Sequence, residues 1–163
     1  MTLAELNAND RSGFAGALGW IFEASPWVAE RVWVRRPFAT LDTLHDAMKS
    51  VVTAASAEEQ LALLRAHPDL GARAMMSDVS SREQENAGLD DLTRDERDRL
   101  VTLNTAYREK FGFPFLYAVK GSTKHDILNA LEGRLPSTRD AEHQEALRQV
   151  YRIARFRLED MIS

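Results

Sequence analysis

The chain has 163 residues, 44% hydrophobic and 28% charged, which suits one soluble globular domain with a real core. Its formal net charge is −4 with no basic tract, which argues against nucleic acid as the main partner, and the lack of cysteine excludes disulfides, thiolate metal sites and cysteine nucleophiles. No apolar run approaches the roughly 20 residues needed to span a bilayer, Met1 to Asp10 does not read as a secretory signal, and Met161-Ile162-Ser163 is no peroxisomal address; a cytoplasmic protein is expected.

In chain order, Phe14, Leu18, Ile21 and Phe22 recur at helical spacing and predict a helix over Asp10 to Ala24. Pro26 restarts the chain, and Trp27 to Val34 reads as a short second helix. Arg35-Arg36-Pro37-Phe38 is a break. Leu41, Leu44, Met48, Val51 and Val52 mark the next helix. The capping-box pattern from Ser56 to Glu59 opens another, through Leu61 and Leu64. It ends near Ala66 and His67, because Pro68 disfavours helical geometry in the residue before it.

Asp69 to Val79 reads as a loop, and Ser80 to Glu83 as a second capping box. A third, Thr93 to Glu96, opens a long helix through Leu100, Leu103, Asn104 and Tyr107. Phe111 to Val119, with Pro114 inside it, predicts an extended buried segment with room for a short strand. Helix resumes from Thr123 to Leu131 and again from Thr138 to Met161. The expectation is an all-α single domain over residues 1–163, a bundle of about eight helices.

Four places could carry chemistry. His67 sits at a helix C-terminus, pinned by Pro68; that position favours the protonated imidazole and suits a general acid, and it equally suits a capping histidine. Ser80, Glu83 and Gln84 lie at a helix start, where free N–H groups could hold a small anionic or urea-like ligand; the bland alternative is a simple cap. Gly112 and Pro114, set among three phenylalanines, impose a special backbone path that either exposes peptide groups to a ligand or forms a packing corner. Arg157 lies at the edge of the last helix's apolar face. It could lay its stem along the core with its head in water, or clamp a carboxylate, and Arg155 flanks the same stripe.

Taken in order, Glu23-Ala-Ser-Pro-Trp-Val28, Arg36-Pro-Phe38, Ala66-His-Pro-Asp-Leu-Gly71, Ser80 with Glu83-Gln84, Ala87-Gly-Leu89, Leu103-Asn104, Phe111 to Phe115 and Arg157-Leu158 resemble the 2-oxo-4-hydroxy-4-carboxy-5-ureidoimidazoline (OHCU) decarboxylase family. The resemblance implies a helical homodimer without metal or organic cofactor, acting on OHCU and yielding (S)-allantoin in urate breakdown. It implies that His67 is the catalytic residue, as proton donor; beside it, Glu83 is expected to accept hydrogen bonds from the substrate and help orient His67. It places substrate contacts at Pro68, at Ser80, Ser81, Arg82, Glu83 and Gln84, along Phe115, Leu116, Tyr117, Ala118 and Val119, and at Arg157. Urate oxidase and hydroxyisourate hydrolase would be functional neighbours.

Two rivals compete. His45-Asp46 and His125-Asp126, with His67 and Asp140, could form the ligand set of a metal-dependent phosphohydrolase of the HD type. Alternatively Trp20, Trp27 or Trp33 could anchor a partner of a non-enzymatic helical interaction module.

Overall fold

A computed structural model describes residues 1–70 and 91–163. Among the described residues there are eight α-helices and no strand: α1 (Leu3–Ala8), α2 (Arg11–Leu18), α3 (Trp27–Val32), α4 (Leu41–Ala54), α5 (Ala57–Ala66), α6 (Arg94–Phe111), α7 (Lys124–Arg134) and α8 (Arg139–Met161). A 3₁₀ turn, Trp33–Arg35, follows α3. The all-α expectation holds. The short strand between Phe111 and Val119 does not form: α6 runs to Phe111, Gly112 caps it at φ 77°, and Phe113 to Val119 is irregular. A left-handed C-cap is the position glycine adopts without steric cost.

Helix starts follow the capping chemistry. The Ser56 hydroxyl accepts from the Glu59 N–H at 3.1 Å, and the Thr93 hydroxyl from that of Glu96 at 3.2 Å. Each reciprocal bond satisfies an otherwise orphaned first-turn donor, worth about 1 kcal/mol. Thr2 with Glu5 forms a further box, opening a helix inside the polar stretch before Asp10.

The first long helix is shorter than its periodicity predicts. It ends at Leu18, and the chain turns through Gly19 to Ser25 before α3. A Cβ on Gly19 would sit 2.6 Å from the Ala15 carbonyl oxygen, so only glycine fits this tight exit. Ile21 and Phe22 still reach the core, from a turn rather than from a helix.

The described chain divides into two compact units, residues 1–66 with 150–163, and residues 67–149. The first unit buries Leu6, Phe14, Phe22, Leu44, Met48 and Leu158. Full burial of such side chains stabilises by about 1.5–3 kcal/mol each. Its Arg36-Pro37-Phe38 segment is latched: Asn7 donates to and accepts from the Phe38 backbone at 2.9 and 2.8 Å. The Arg36 guanidinium donates to the carbonyls of Asn7 and Asn9 at 2.8 and 2.7 Å. Arg36 therefore satisfies the open carbonyl end of α1. The second unit is built on an aromatic cluster. Tyr107 packs 4.5 Å from Phe111, 6.1 Å from Phe113 and 5.3 Å from Phe115, ring centroid to centroid. Edge-on contacts among these rings add to what area alone provides.

Candidate functional site

The second unit begins with His67-Pro68-Asp69-Leu70, the segment directly after α5. His67 is 2% exposed, so its imidazole is desolvated; Leu70 is also buried. Asp69 pairs through Oδ2 with the guanidinium of Arg108 on α6, with side chains 15% and 54% exposed. Pro68 restricts the backbone on one side of this pair, and the ion pair ties down the other. The other oxygen of Asp69 and the Oδ1 of Asn104 are buried without a hydrogen-bond partner among the described residues. Asn104 lies four residues before Arg108, one helical turn away on the same face of α6. Buried acceptors of this kind call for donors.

The irregular segment Phe113 to Val119 is the other built feature of this unit. Phe115, Leu116, Ala118 and Val119 are all buried. The Leu116 carbonyl accepts from Arg134 Nη1 at 2.8 Å, and the Ala118 N–H donates to Gln149 Oε1 at 2.9 Å. Arg134 is itself held. Its Nε donates to Glu142 Oε1 at 2.7 Å, and its guanidinium lies 4.6 Å from the centroid of the Phe115 ring. Glu142 also accepts from the Tyr107 hydroxyl at 2.6 Å. Burial, and then this bond to a carboxylate, push the Tyr107 hydroxyl far above the usual tyrosine range. It is a fixed donor, not a titrating group.

In the first unit Arg157 is 2% exposed, which corrects the reading of a core-edge arginine with its head in water. Its Nη2 donates to Glu23 Oε1 at 2.8 Å, and its Nη1 donates to the carbonyls of Trp20 and Ile21 at 3.3 and 3.2 Å. Arg155, which helical position could not separate from it, is a surface residue paired with Asp42 and Glu159. Sequence reasoning counted Glu23 in a motif and gave it no role; a carboxylate opposite a buried arginine is that role. Arg108, Arg134, Glu142 and Gln149 were also missed, because in sequence they look like ordinary solvated polar and charged residues on helices.

Ser80, Ser81, Arg82, Glu83 and Gln84, with the helix start expected there, lie outside the described residues. His45 Nε2 bonds the Tyr151 carbonyl at 2.8 Å within the first unit, and His125 is 69% exposed. Among the described residues no three His, Asp or Glu side chains come together as a ligand set.

Residues 7–159 match the family described as OHCU decarboxylase. A 2-oxo-4-hydroxy-4-carboxy-5-ureidoimidazoline decarboxylase of Haloferax volcanii is 47% identical over 163 residues, which cover 100% of this chain and 97% of that protein. The uric acid degradation bifunctional protein PucL of Bacillus subtilis is 50% identical over 162 residues; they cover 99% of this chain and only 33% of PucL. Among solved structures, an (S)-allantoin synthase aligns with a TM-score of 0.83 at 37% identity, covering 99% of this chain and 54% of that one.

Proposed function

The chain belongs to the OHCU decarboxylase family, and from that premise we propose how it works on its substrate. The reaction is the decarboxylation of 2-oxo-4-hydroxy-4-carboxy-5-ureidoimidazoline, a carboxy-lyase step in urate degradation that leads to (S)-allantoin. The substrate carries its carboxylate on a ring carbon that also bears a hydroxyl, beside a ring C=N bond. When the C–CO₂⁻ bond breaks, CO₂ leaves and the electron pair passes into the ring, with the C=N nitrogen as acceptor. The ring nitrogen takes up a proton, the resulting enol loses its hydroxyl proton as the carbonyl forms, and the ureido-bearing carbon gains a proton, so one proton is consumed overall. That carbon is the stereocentre. The protein's tasks are to orient the breaking bond, to stabilise the developing charge and to protonate one face.

His67 delivers or relays that proton. The observation that carries this role is its burial on a short segment held by Pro68, Leu70 and the Asp69–Arg108 pair, which fixes the imidazole without leaving it to bulk water. Glu83 accepts hydrogen bonds from the hydroxyl or ureido N–H groups; Gln84, Ser80 and the backbone from Phe115 to Val119 hold the ring and ureido arm. Arg157 binds an anionic oxygen, with Glu23 orienting its guanidinium. The Glu83, Gln84 and Ser80 assignments rest on the family motif alone.

Residues 1–163 act as one domain in this proposal, since the family match runs across both units. No helix among the described residues is long and apolar enough to cross a membrane. A cytoplasmic homodimer, functionally linked to urate oxidase and hydroxyisourate hydrolase, completes the proposal. Sedimentation at micromolar concentration tests the dimer. For the chemistry, the test is the decay of substrate absorbance with the substrate made in place from urate. The wild type accelerates the decay over the blank, and His67→Ala lowers kcat by about 10²–10⁴-fold at unchanged helicity. Full activity in a folded His67→Ala variant removes His67 from the chemistry.

A further inference from the structure

A buried backbone without regular structure must satisfy its peptide groups by other means. In the segment from Phe115 to Val119 the protein satisfies two groups with dedicated side chains: the Leu116 carbonyl by Arg134 and the Ala118 N–H by Gln149. Both side chains are locked in turn. Gln149 Nε2 donates to Glu145 Oε1 at 2.9 Å, which fixes the amide so that its carbonyl oxygen, not its NH₂, faces Ala118. Arg134 is fixed by Glu142, whose carboxylate is 3% exposed. Burying an amide, a guanidinium and a carboxylate is unfavourable unless each is bonded. The Val119 carbonyl accepts from the Ser122 N–H at 2.9 Å. Among the described residues, the N–H groups of Phe115, Leu116, Tyr117 and Val119 donate to no protein acceptor, although Phe115, Leu116 and Val119 are buried. The protein thus consumes one subset of the segment's peptide groups and leaves another for an oxygen-bearing ligand.

We propose that Gln149, backed by Glu145, and Arg134, backed by Glu142, are positioning residues that set the backbone of Phe115 to Val119 so that its remaining N–H groups receive the carbonyl oxygens of the substrate's ring and ureido arm. This rests on the reading of the chain as an OHCU decarboxylase. Gln149 touches the backbone and not the substrate, so its removal loosens recognition more than chemistry.

The test is steady-state kinetics on the full chain, with substrate made in place from urate, for the wild type, Q149L and the exchange variant E145Q/Q149E. The exchange keeps the chain of bonds: the carboxylate placed at position 149 accepts from the Ala118 N–H and from the amide placed at position 145. Q149L raises KM about tenfold and leaves kcat within about twofold, the loss of roughly one net hydrogen bond. The exchange variant returns KM to within about threefold of the wild type, by the same reckoning. A folded Q149L with wild-type KM, or one that loses kcat alone, overturns the inference. If Q149L does not fold, the exchange variant decides: a wild-type KM supports the inference, and a raised KM overturns it. Turnover by the wild type with an unmoved KM in Q149L sinks this inference alone, whereas no turnover by the wild type sinks the decarboxylase reading with it.

Discussion

Each unit uses one arginine to gather an irregular stretch of backbone, Arg157 fully buried and Arg134 partly so, and the two differ in how far the partner carboxylate is enclosed. Arg157 holds the turn from Trp20 to Glu23 by two carbonyls and a carboxylate whose side chain is 27% exposed. Arg134 holds the segment after α6 by one carbonyl, a tyrosine hydroxyl and a carboxylate that is 3% exposed. The motif set pointed to Arg157 and passed over Arg134, yet the more deeply enclosed carboxylate is the partner of Arg134. A motif reading thus misses an arginine whose partners are gathered from separate elements, and only burial of the partner carboxylate brings it out.

Replacing each arginine by methionine sharpens the comparison. Arg134→Met leaves Glu142 buried with only a tyrosine hydroxyl, and should cost about 4 kcal/mol in denaturant unfolding. Arg157→Met leaves Glu23 closer to water, and should cost less, about 2–3 kcal/mol. Equal losses, or the reverse order, would break the argument from enclosure. Arg108→Ala opens an ion pair whose arginine is 54% exposed, so stability should fall by less than about 1 kcal/mol. Activity should fall several-fold nonetheless, because Asp69 helps fix the His67 segment; unchanged kcat would remove the Asp69–Arg108 pair from that task.

The smallest effect is a pH slope confined to the first unit. Burial lowers the His45 pKa below 6.5, ahead of the opposing bond to the Tyr151 carbonyl. The folded state therefore resists a proton that the unfolded state accepts. Stability is unaffected well above pH 6.5 and declines as pH falls below it. His45→Gln should flatten that decline below pH 6.5, and an unchanged slope would assign the decline elsewhere.

Much of the fold was legible because helix signals are local. Ser56, Thr93 and the apolar stripe from Leu147 to Met161 place three helices within a residue or two of where they form. The departures had two sources. At Gly19 the cause is local, a close approach to the Ala15 carbonyl one turn back that apolar periodicity does not encode, whereas Phe113 to Val119 is shaped by Arg134 and Gln149 from helices far along the chain. For the candidate site, His67 announced itself through Pro68. The partners Asp69–Arg108 and Glu23–Arg157 did not, since a charge destined for a buried pair reads in sequence like one on a solvated face.

The central claim is one-face protonation after loss of CO₂, and its most direct measurement is optical. Substrate is made in place from urate with urate oxidase and hydroxyisourate hydrolase, the chain is added, and circular dichroism is followed over time. The account predicts rapid growth of an (S)-allantoin signal with the wild type and none above the blank with His67→Ala. An optically silent decay at the rate of the blank, with the wild type present and folded, would contradict it.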